Sequence, residues 1–496
     1  MTGRLAPLFL LELVSNESAV LVVVARPSDY SIPCRVTFPA AQARTPGRNG
    51  DMARLTRRDW LKLSTFATVG CSASGWMQTL AAETAEDPKR KRSCILLWMP
   101  GGPPQTDTFD MKPGHKNGGS FKPIDTSVPG IQISEHLPKL AKQMEHLAIV
   151  RSMSTKEGDH QRATYLMRTG YLPQGPIHYP TLGSLVSREL GHSDLELPSF
   201  ISVAPNRFLS PAAYSSGFLG PKYAPLIVGE GARVREGQDV ATTLRVRNLD
   251  LPEGVEATQA DTRLDLLKHL EDDFVANRPG VTGQSHQQAY LQAVRMMKSG
   301  ASNAFSVEAE PAELRERYGM NQFGQGCLLA RRLVEQGVPF IEVSLSNAPG
   351  ADGAGLGWDT HQGNFDRVKA LSAALDSGWS TLMEDLKDRG LLESTTIVWM
   401  GEFGRTPNIN DNQGRDHFPA AWSAVLGGGG VKGGQVYGSS TEDGMKVKDA
   451  PVTTPDLIAT VCKSLGIDPL KQNMSNVGRP IRIADFEAQA IEKLVG

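Results

Sequence analysis

A chain of 496 residues is long enough for one large core with insertions, or for two to three units. Its formal net charge of -2 leaves no basic surplus to neutralise phosphates, which argues against a nucleic-acid-binding protein. Five cysteines over this length do not make a disulfide framework; Cys94, Cys327 and Cys462 sit in apolar stretches and read as buried thiols.

In chain order, residues 1–51 hold Pro, Arg and two short apolar patches without a coherent period. Met52-Ala53-Arg54 reads as the natural start, so the upstream segment is expected to be a misassigned start and disordered. Thr56-Arg57-Arg58-Asp59-Trp60-Leu61-Lys62, followed by a moderately apolar Ala/Gly/Ser stretch to about Ala82, matches a twin-arginine signal over 52–83. That signal implies export to the periplasm or cell envelope, and its apolar part is too short and weak for a transmembrane span. A charged linker follows over 84–92, and the main domain is expected over 93–486.

The domain opens on an apolar run, Cys94 to Met99, that reads as a buried strand. The turn after it contains Gly101, Gly102, Asp107 and Asp110. Paired glycines let backbone N–H groups approach an anion, and the two aspartates could ligate a cation; the alternative is a Gly/Pro turn with Asx capping. Leu137 to Met144 is expected to be helical, and Leu147 to Ser152 to be a second strand. Behind it, a polar turn from Gly158 to Thr164 runs into a helix over Tyr165 to Gly170. Arg162 and Arg168 suit a tetrahedral anion through bidentate hydrogen bonds, and His160 is a ligand, a base or a helix cap.

Further along, Thr181 to Leu190 predicts a helix and Phe200 to Val203 a strand, with a long Gly/Pro/Tyr-rich loop over 206–228. A helical insertion is expected over about 230–320. Within it, Leu264, Leu267, Leu270 and Phe274, then Tyr290, Val294 and Met297, recur at helical spacing and read as packing positions of two helices. Phe323 to Gln336 is another helix and Phe340 to Leu345 another strand.

The turn after that strand, Gly357-Trp358-Asp359-Thr360-His361, places an acid and an imidazole two residues apart among glycines, which suits divalent-metal ligation. A long amphipathic helix from Val368 to Leu386 then feeds the strand Thr395 to Met400. Glu402 follows in a Gly-flanked turn, and a polar loop delivers Arg415-Asp416-His417 ahead of a strand from Trp422 to Leu426. Thr454 is expected to cap a final helix with Pro455 in its first turn. Strands alternating with helices predict an α/β fold with a mostly parallel sheet, whose ligands bind beyond the carboxyl ends of the strands.

Five separated motifs, GGPPQTDTFD, DHQRATYLMRTG, GWDTHQGNF, TTIVWMGEFGRTP and GRDHFP, occur in order between about Cys94 and Ile483. Together they resemble the exported family catalogued as domain of unknown function 1501, which is similar to the alkaline phosphatase and sulfatase superfamily. The resemblance implies a three-layer α/β/α fold, with a mostly parallel central sheet and a metal cluster at its C-terminal edge. On that likeness Asp359, His361, Glu402, Asp416 and His417 are metal ligands, and Asp107 stands in for the aspartate usual after the first strand. His160 falls at the nucleophile's position, with Thr164 and Thr155 as hydroxyl alternatives, while Phe403 stands where a His ligand is usual.

The function these residues predict is a metal-dependent hydrolase of phosphate or sulfate esters, acting on a small-molecule or sugar ester. It would use a divalent ion (Zn, Ca, Mg or Mn), with direct attack by a metal-bound water or with His160 as a base, and with Arg162 or Arg405 neutralising the anion beside Gly101 and Gly102. The alternatives are an envelope protein that binds anionic sugars on the same fold without turnover, and a structural scaffold.

Overall fold

Ser93–Trp98 forms β1, whose side chains alternate so completely between two apolar layers that it can only be a buried strand. Ile95, Leu97 and Met99 enter one core cluster and Cys94, Leu96 and Trp98 the other. The structure, a computed structural model, describes residues 10–13, 19–22 and 92–496, apart from 193–194, 209, 232–238, 247–248, 250, 278–280, 299 and 352–355.

Seven further strands join β1: β2 (Leu147–Met153), β3 (Phe200–Val203), β4 (Leu226–Val228), β5 (Phe340–Ser344), β6 (Thr395–Met400), β7 (Trp422–Gly428) and β8 (Gln435–Tyr437). Their spatial order is β8-β2-β7-β6-β1-β5-β3-β4. Every pairing is parallel except those of β7, which runs antiparallel to both β6 and β2. The carboxyl ends of β1, β2, β5 and β6 therefore share one edge of the sheet, and the amino end of β7 meets them there.

Helices cover both faces, as a sheet buried on two sides requires. On one face lie α5 (Gln322–Glu335) and α6 (Asn364–Asp388), through residues such as Leu328, Leu371, Leu375 and Trp379. On the other lie α1 (His160–Thr169), α2 (Leu182–Leu190) and α7 (Thr454–Ser464), through Met167, Leu185, Ile458 and Val461. Each fully buried aliphatic side chain contributes roughly 1.5–3 kcal/mol. This is the α/β fold that the alternating elements predict, in the three-layer α/β/α arrangement that the resemblance implies.

Several boundaries moved for tertiary reasons. Helix α6 starts at Asn364 rather than near Val368, because Asn364 accepts from the Thr360 hydroxyl and donates to Asp107. The helix expected over 137–144 is one turn, Pro138–Ala141, with the N–H groups of Lys139 and Leu140 tied to Asp376. The cap of α7 is Thr453, one residue before the expected Thr454, in a capping box with Asp456. The 206–228 stretch forms 3-10 turns that pack on α1, where the Arg168 guanidinium lies 3.8 Å from the Tyr214 ring centroid.

The insertion between β4 and β5 does contain two long helices, α3 (Ala257–Asn277) and α4 (Val281–Lys298). Their apolar positions are not the packing face expected: Leu270, Phe274, Tyr290 and Met297 are exposed. The pair reaches the domain through Ser285 and Met296, which are buried, while Leu264, Leu267 and Val294 are half-buried.

The chain divides into two units, 1–77 and 78–496. Of the first, the structure describes an antiparallel strand pair, Leu10–Leu13 with Ala19–Val22, within the segment read above as disordered. The twin-arginine stretch and its cleavage region lie outside the described residues. Among the described residues no helix is long and apolar enough to cross a membrane.

Candidate functional site

Topology brings the chemistry together. His160 opens α1 behind β2, Asp359 and His361 follow β5, Glu402 follows β6, and His417 precedes β7 because β7 alone runs the other way. The short antiparallel pairing of Gly404–Arg405 with His417–Phe418 sets Arg405 opposite His417.

Asp359 is the centre. Its Oδ1 lies 3.3 Å from His160 Nε2, 3.1 Å from His361 Nε2, 3.4 Å from His417 Nε2 and 2.5 Å from the Arg405 guanidinium. The ligand atoms of His160, Asp359 and His417 all lie within 4.8 Å of one another, and His361 Nε2 is 3.0 Å from His417 Nε2. Each imidazole is held from behind by its other nitrogen. His160 Nδ1 is 2.6 Å from Glu402 Oε1, His361 Nδ1 is 2.6 Å from Asp416 Oδ1, and His417 Nδ1 is 2.8 Å from the Gly158 carbonyl.

The site is closed on one side and open on the other. The Glu402 side chain is 1 % exposed, whereas that of His361 is 46 % exposed. Phe403 is buried, with its ring centroid 4.9 Å from that of His160 and 4.8 Å from that of His417. It fills the place of the His ligand expected there with an apolar wall. Burial opposes the charged form of His160, but the Asp359 and Glu402 carboxylates outweigh it and push its pKa up to about 9. Burial likewise works to raise Asp359, but His160, His417 and Arg405 hold it well below the usual carboxylate range.

Gly101 and Gly102 let three loops touch. At φ +109° and +80° both lie in the region that favours glycine. A Cβ on Gly101 would sit 2.4 Å from the Asp359 nitrogen, and one on Gly102 2.7 Å from the Phe403 carbonyl oxygen. The Gly101 N–H donates to Glu402 and the Gly102 N–H to the Met99 carbonyl. The Gly101 N–H is thus taken by the chain's own Glu402 carboxylate and the Gly102 N–H by a backbone carbonyl, and the pair makes a close backbone contact.

The structure distributes the other sequence-predicted residues differently. Asp107 is fully buried, with its oxygens 2.7 and 2.8 Å from the Arg415 guanidinium and a further hydrogen bond from Asn364. It is thus a structural anchor for the loop carrying Asp416 and His417, not part of the cluster. Glu402 and Asp416 stand behind histidines. Arg405 is buried and donates to Asp359, to the Gly101 and Gly102 carbonyls and to the Arg415 carbonyl, so it braces the site. Arg162 faces solvent and pairs with Glu157 at 2.8 Å, and Arg168 is buried against Glu342. Thr164 is buried one turn after His160 on the same helix.

Sequence reasoning missed the supports. The Gly158 carbonyl and Asn410, which donates to the His361 carbonyl and to Asp416, carry no recognisable signal in a linear reading. Arg415 had one, its place beside Asp416 and His417, but its partner Asp107 lies 308 positions away.

Among curated proteins no sequence match is found. Solved structures similar to this chain include the PsFucS1 sulfatase from Pseudoalteromonas sp. (12 % identity, TM-score 0.35, covering 79 % of this chain and 72 % of that one). A protein in the alkaline phosphatase superfamily from Vibrio parahaemolyticus is also similar (12 % identity, TM-score 0.34, 77 % and 68 % covered). So is the phosphonate monoester hydrolase SpPMH from Silicibacter pomeroyi (14 % identity, TM-score 0.33, 81 % and 76 % covered). The family described as "Protein of unknown function (DUF1501)" matches residues 91–495, and the chain belongs to it.

Proposed function

We propose that this chain is an exported, metal-dependent hydrolase of phosphate or sulfate esters, working at the His160–Asp359–His361–His417 cluster. The observation that carries the reading is the convergence of three imidazole Nε2 atoms on one Asp359 oxygen at the carboxyl edge of a mostly parallel sheet. The ester class rests on the likeness of the five ordered motifs. Export rests on the twin-arginine stretch.

The residues fit a divalent cation, because the donor set is nitrogen and carboxylate and each ring is oriented by a second partner. When bound, such an ion supplies a Lewis acid and lowers the pKa of a water beside it. The chain's own residues do the rest. Glu402 holds His160 in one orientation from the closed side, and Gly101 fixes Glu402. Arg405 holds Asp359, and Phe403 keeps water from the rear of the cluster. The open side, at His361 and Asp416, is where a substrate enters.

A second reading, a protein that binds anionic sugars without turnover, would need arginines to hold the anion, and Arg162, Arg168 and Arg405 are all occupied by partners within the chain. Purified protein supplied with divalent metals and a panel of aryl phosphates and sulfates separates the two. Turnover that falls at least about a hundredfold in His361→Ala supports the hydrolase; no turnover with metal bound leaves the second reading.

A further inference from the structure

We infer that buried water joins Arg168 and Tyr214 to Glu402, and that both act through it as positioning residues for His160. The inference takes the His160 site of the proposed reading as its end point. It depends neither on which ester is cleaved nor on a bound metal.

The face of the sheet beneath α1 turns polar as it nears the carboxyl edge. Side chains alternate along a strand, so Phe340, Glu342 and Ser344 of β5 share that face. Trp98 of β1 lies in register between Ser344 and Met400 of β6. Glu402 follows Met400 by two residues, and its Oε1 meets His160 Nδ1 at 2.6 Å. From the helix, His160, Thr164 and Arg168 recur every four residues along one face, and all three are buried. The Arg168 guanidinium lies 5.3 Å from the Trp98 ring centroid and 3.8 Å from that of Tyr214. A polar seam therefore runs inward from His160 through a helix–sheet interface otherwise made of residues such as Leu96, Met167 and Leu185.

Part of this seam is paired. Arg168 donates from Nε to the Ala213 carbonyl at 2.7 Å and from Nη2 to Glu342, whose other oxygen accepts from Ser202 at 3.2 Å. Arg168 Nη1, Tyr214 Oη and Glu402 Oε2 are closed to solvent and have no hydrogen-bond partner among the described residues, as is Ser344 Oγ. Such an atom bears its full desolvation penalty, the more so on a charged group. The Glu402 charge acts on both Arg168 and Tyr214, so the three stand near one another without touching. A cation there would meet the Arg168 guanidinium, and an anion would meet Glu342 and Glu402. Water is neutral, accepts from Arg168, donates to Glu402 and does either with the Tyr214 hydroxyl, and buried water makes about three such bonds. Glu402 is otherwise held at Oε1 alone, by His160 and the Gly101 N–H. A bond at Oε2 fixes the plane of the carboxylate, and with it the His160 ring. Arg168 thus serves the site through Glu402 and not by holding a substrate anion.

High-resolution crystallography of the unaltered full chain should show ordered water bonded to Arg168 Nη1, Tyr214 Oη and Glu402 Oε2, which decides the matter even if a variant fails to fold. Tyr214→Phe keeps the ring beside Arg168 and removes only the hydroxyl. With isotopically labelled histidine, nuclear magnetic resonance of this variant should show the His160 Nδ1 proton displaced from its place in the unaltered chain. Tyr171→Phe is the control. It loses a hydrogen bond to the Arg482 carbonyl, made at 2.9 Å, and should leave the His160 signal where it was. A direct Arg168–Glu402 contact, an ion between them, a dry seam, or a His160 signal unmoved by Tyr214→Phe overturns the inference and leaves the hydrolase reading standing. Water bridging these atoms in a chain that turns over no aryl ester upholds the inference and removes the hydrolase reading.

Discussion

His361 and His417 set their Nε2 atoms 3.0 Å apart, from loops 56 positions distant in the chain. Bringing two imidazoles into such contact has a use when something positive sits between them, and both nitrogens also lie within 3.4 Å of the Asp359 carboxylate. On the proposed metal-dependent reading, this contact would couple metal binding to the stability of the whole edge.

An ion that binds only the folded chain stabilises it by mass action, by about 2.7 kcal/mol at a hundredfold excess over its Kd. Calorimetry should show the melting temperature rising with the concentration of at least one of zinc, calcium, magnesium or manganese and falling when a chelator is added. A melting temperature that ignores both would sink this expectation.

Gly101→Ala meets the Asp359 nitrogen at 2.4 Å and a positive φ together. The backbone penalty is roughly 1–2 kcal/mol, with a further 1–3 kcal/mol or so from overpacking. Gly363→Ala, also at positive φ but with nothing within 4 Å, should cost only the first part. Urea denaturation of the two variants compares them directly; equal losses would refute the crowded-loop account.

Arg415→Met leaves the Asp107 carboxylate buried and unpaired, a change expected to cost about 3–5 kcal/mol. Adding Asp107→Asn should recover a large part of it. Because Asp107 is an anchor, divalent metal bound per folded chain should be unchanged in the double variant. Loss of the ion at full folding would return Asp107 to the ligand set.

Glu310 gives a pH dependence away from the site. Burial works to raise its pKa, but Arg331 and Arg332 beside it outweigh this and hold it below the ordinary value of 4.5. The stability it contributes is complete above that ordinary value and fades as pH falls through the folded one. Between about pH 5 and pH 3 the unaltered chain should lose more melting temperature than Glu310→Gln. Parallel curves for the two would disprove the pairing.

Much of the fold was legible because its signals are local. Cys94 to Met99 and Thr395 to Met400 are apolar on both faces, which marks central strands, and the glycine-flanked turns after them mark the edge where side chains gather. The insertion helices were legible as helices but not as to which side meets the domain, since Leu270 and Phe274 repeat at the right spacing and remain exposed. The site was legible as a set of residues and not as a set of roles. Glu402, Asp416 and Asp107 all look like ligands when each is read as an acid after a strand or beside a histidine.

The sequence by itself determined the alternation that builds the sheet, and the delivery of His160, Asp359, His361 and His417 to turns at one of its edges. Only the tertiary structure decided which ring nitrogen and which carboxylate oxygen of those groups faces inward. An imidazole has two nitrogens and an acid two oxygens, and which atom remains available depends on the partner that occupies the other. For Asp107 that partner is Arg415, for His160 it is Glu402, and each lies more than 240 positions away, beyond any pattern that spacing can reveal.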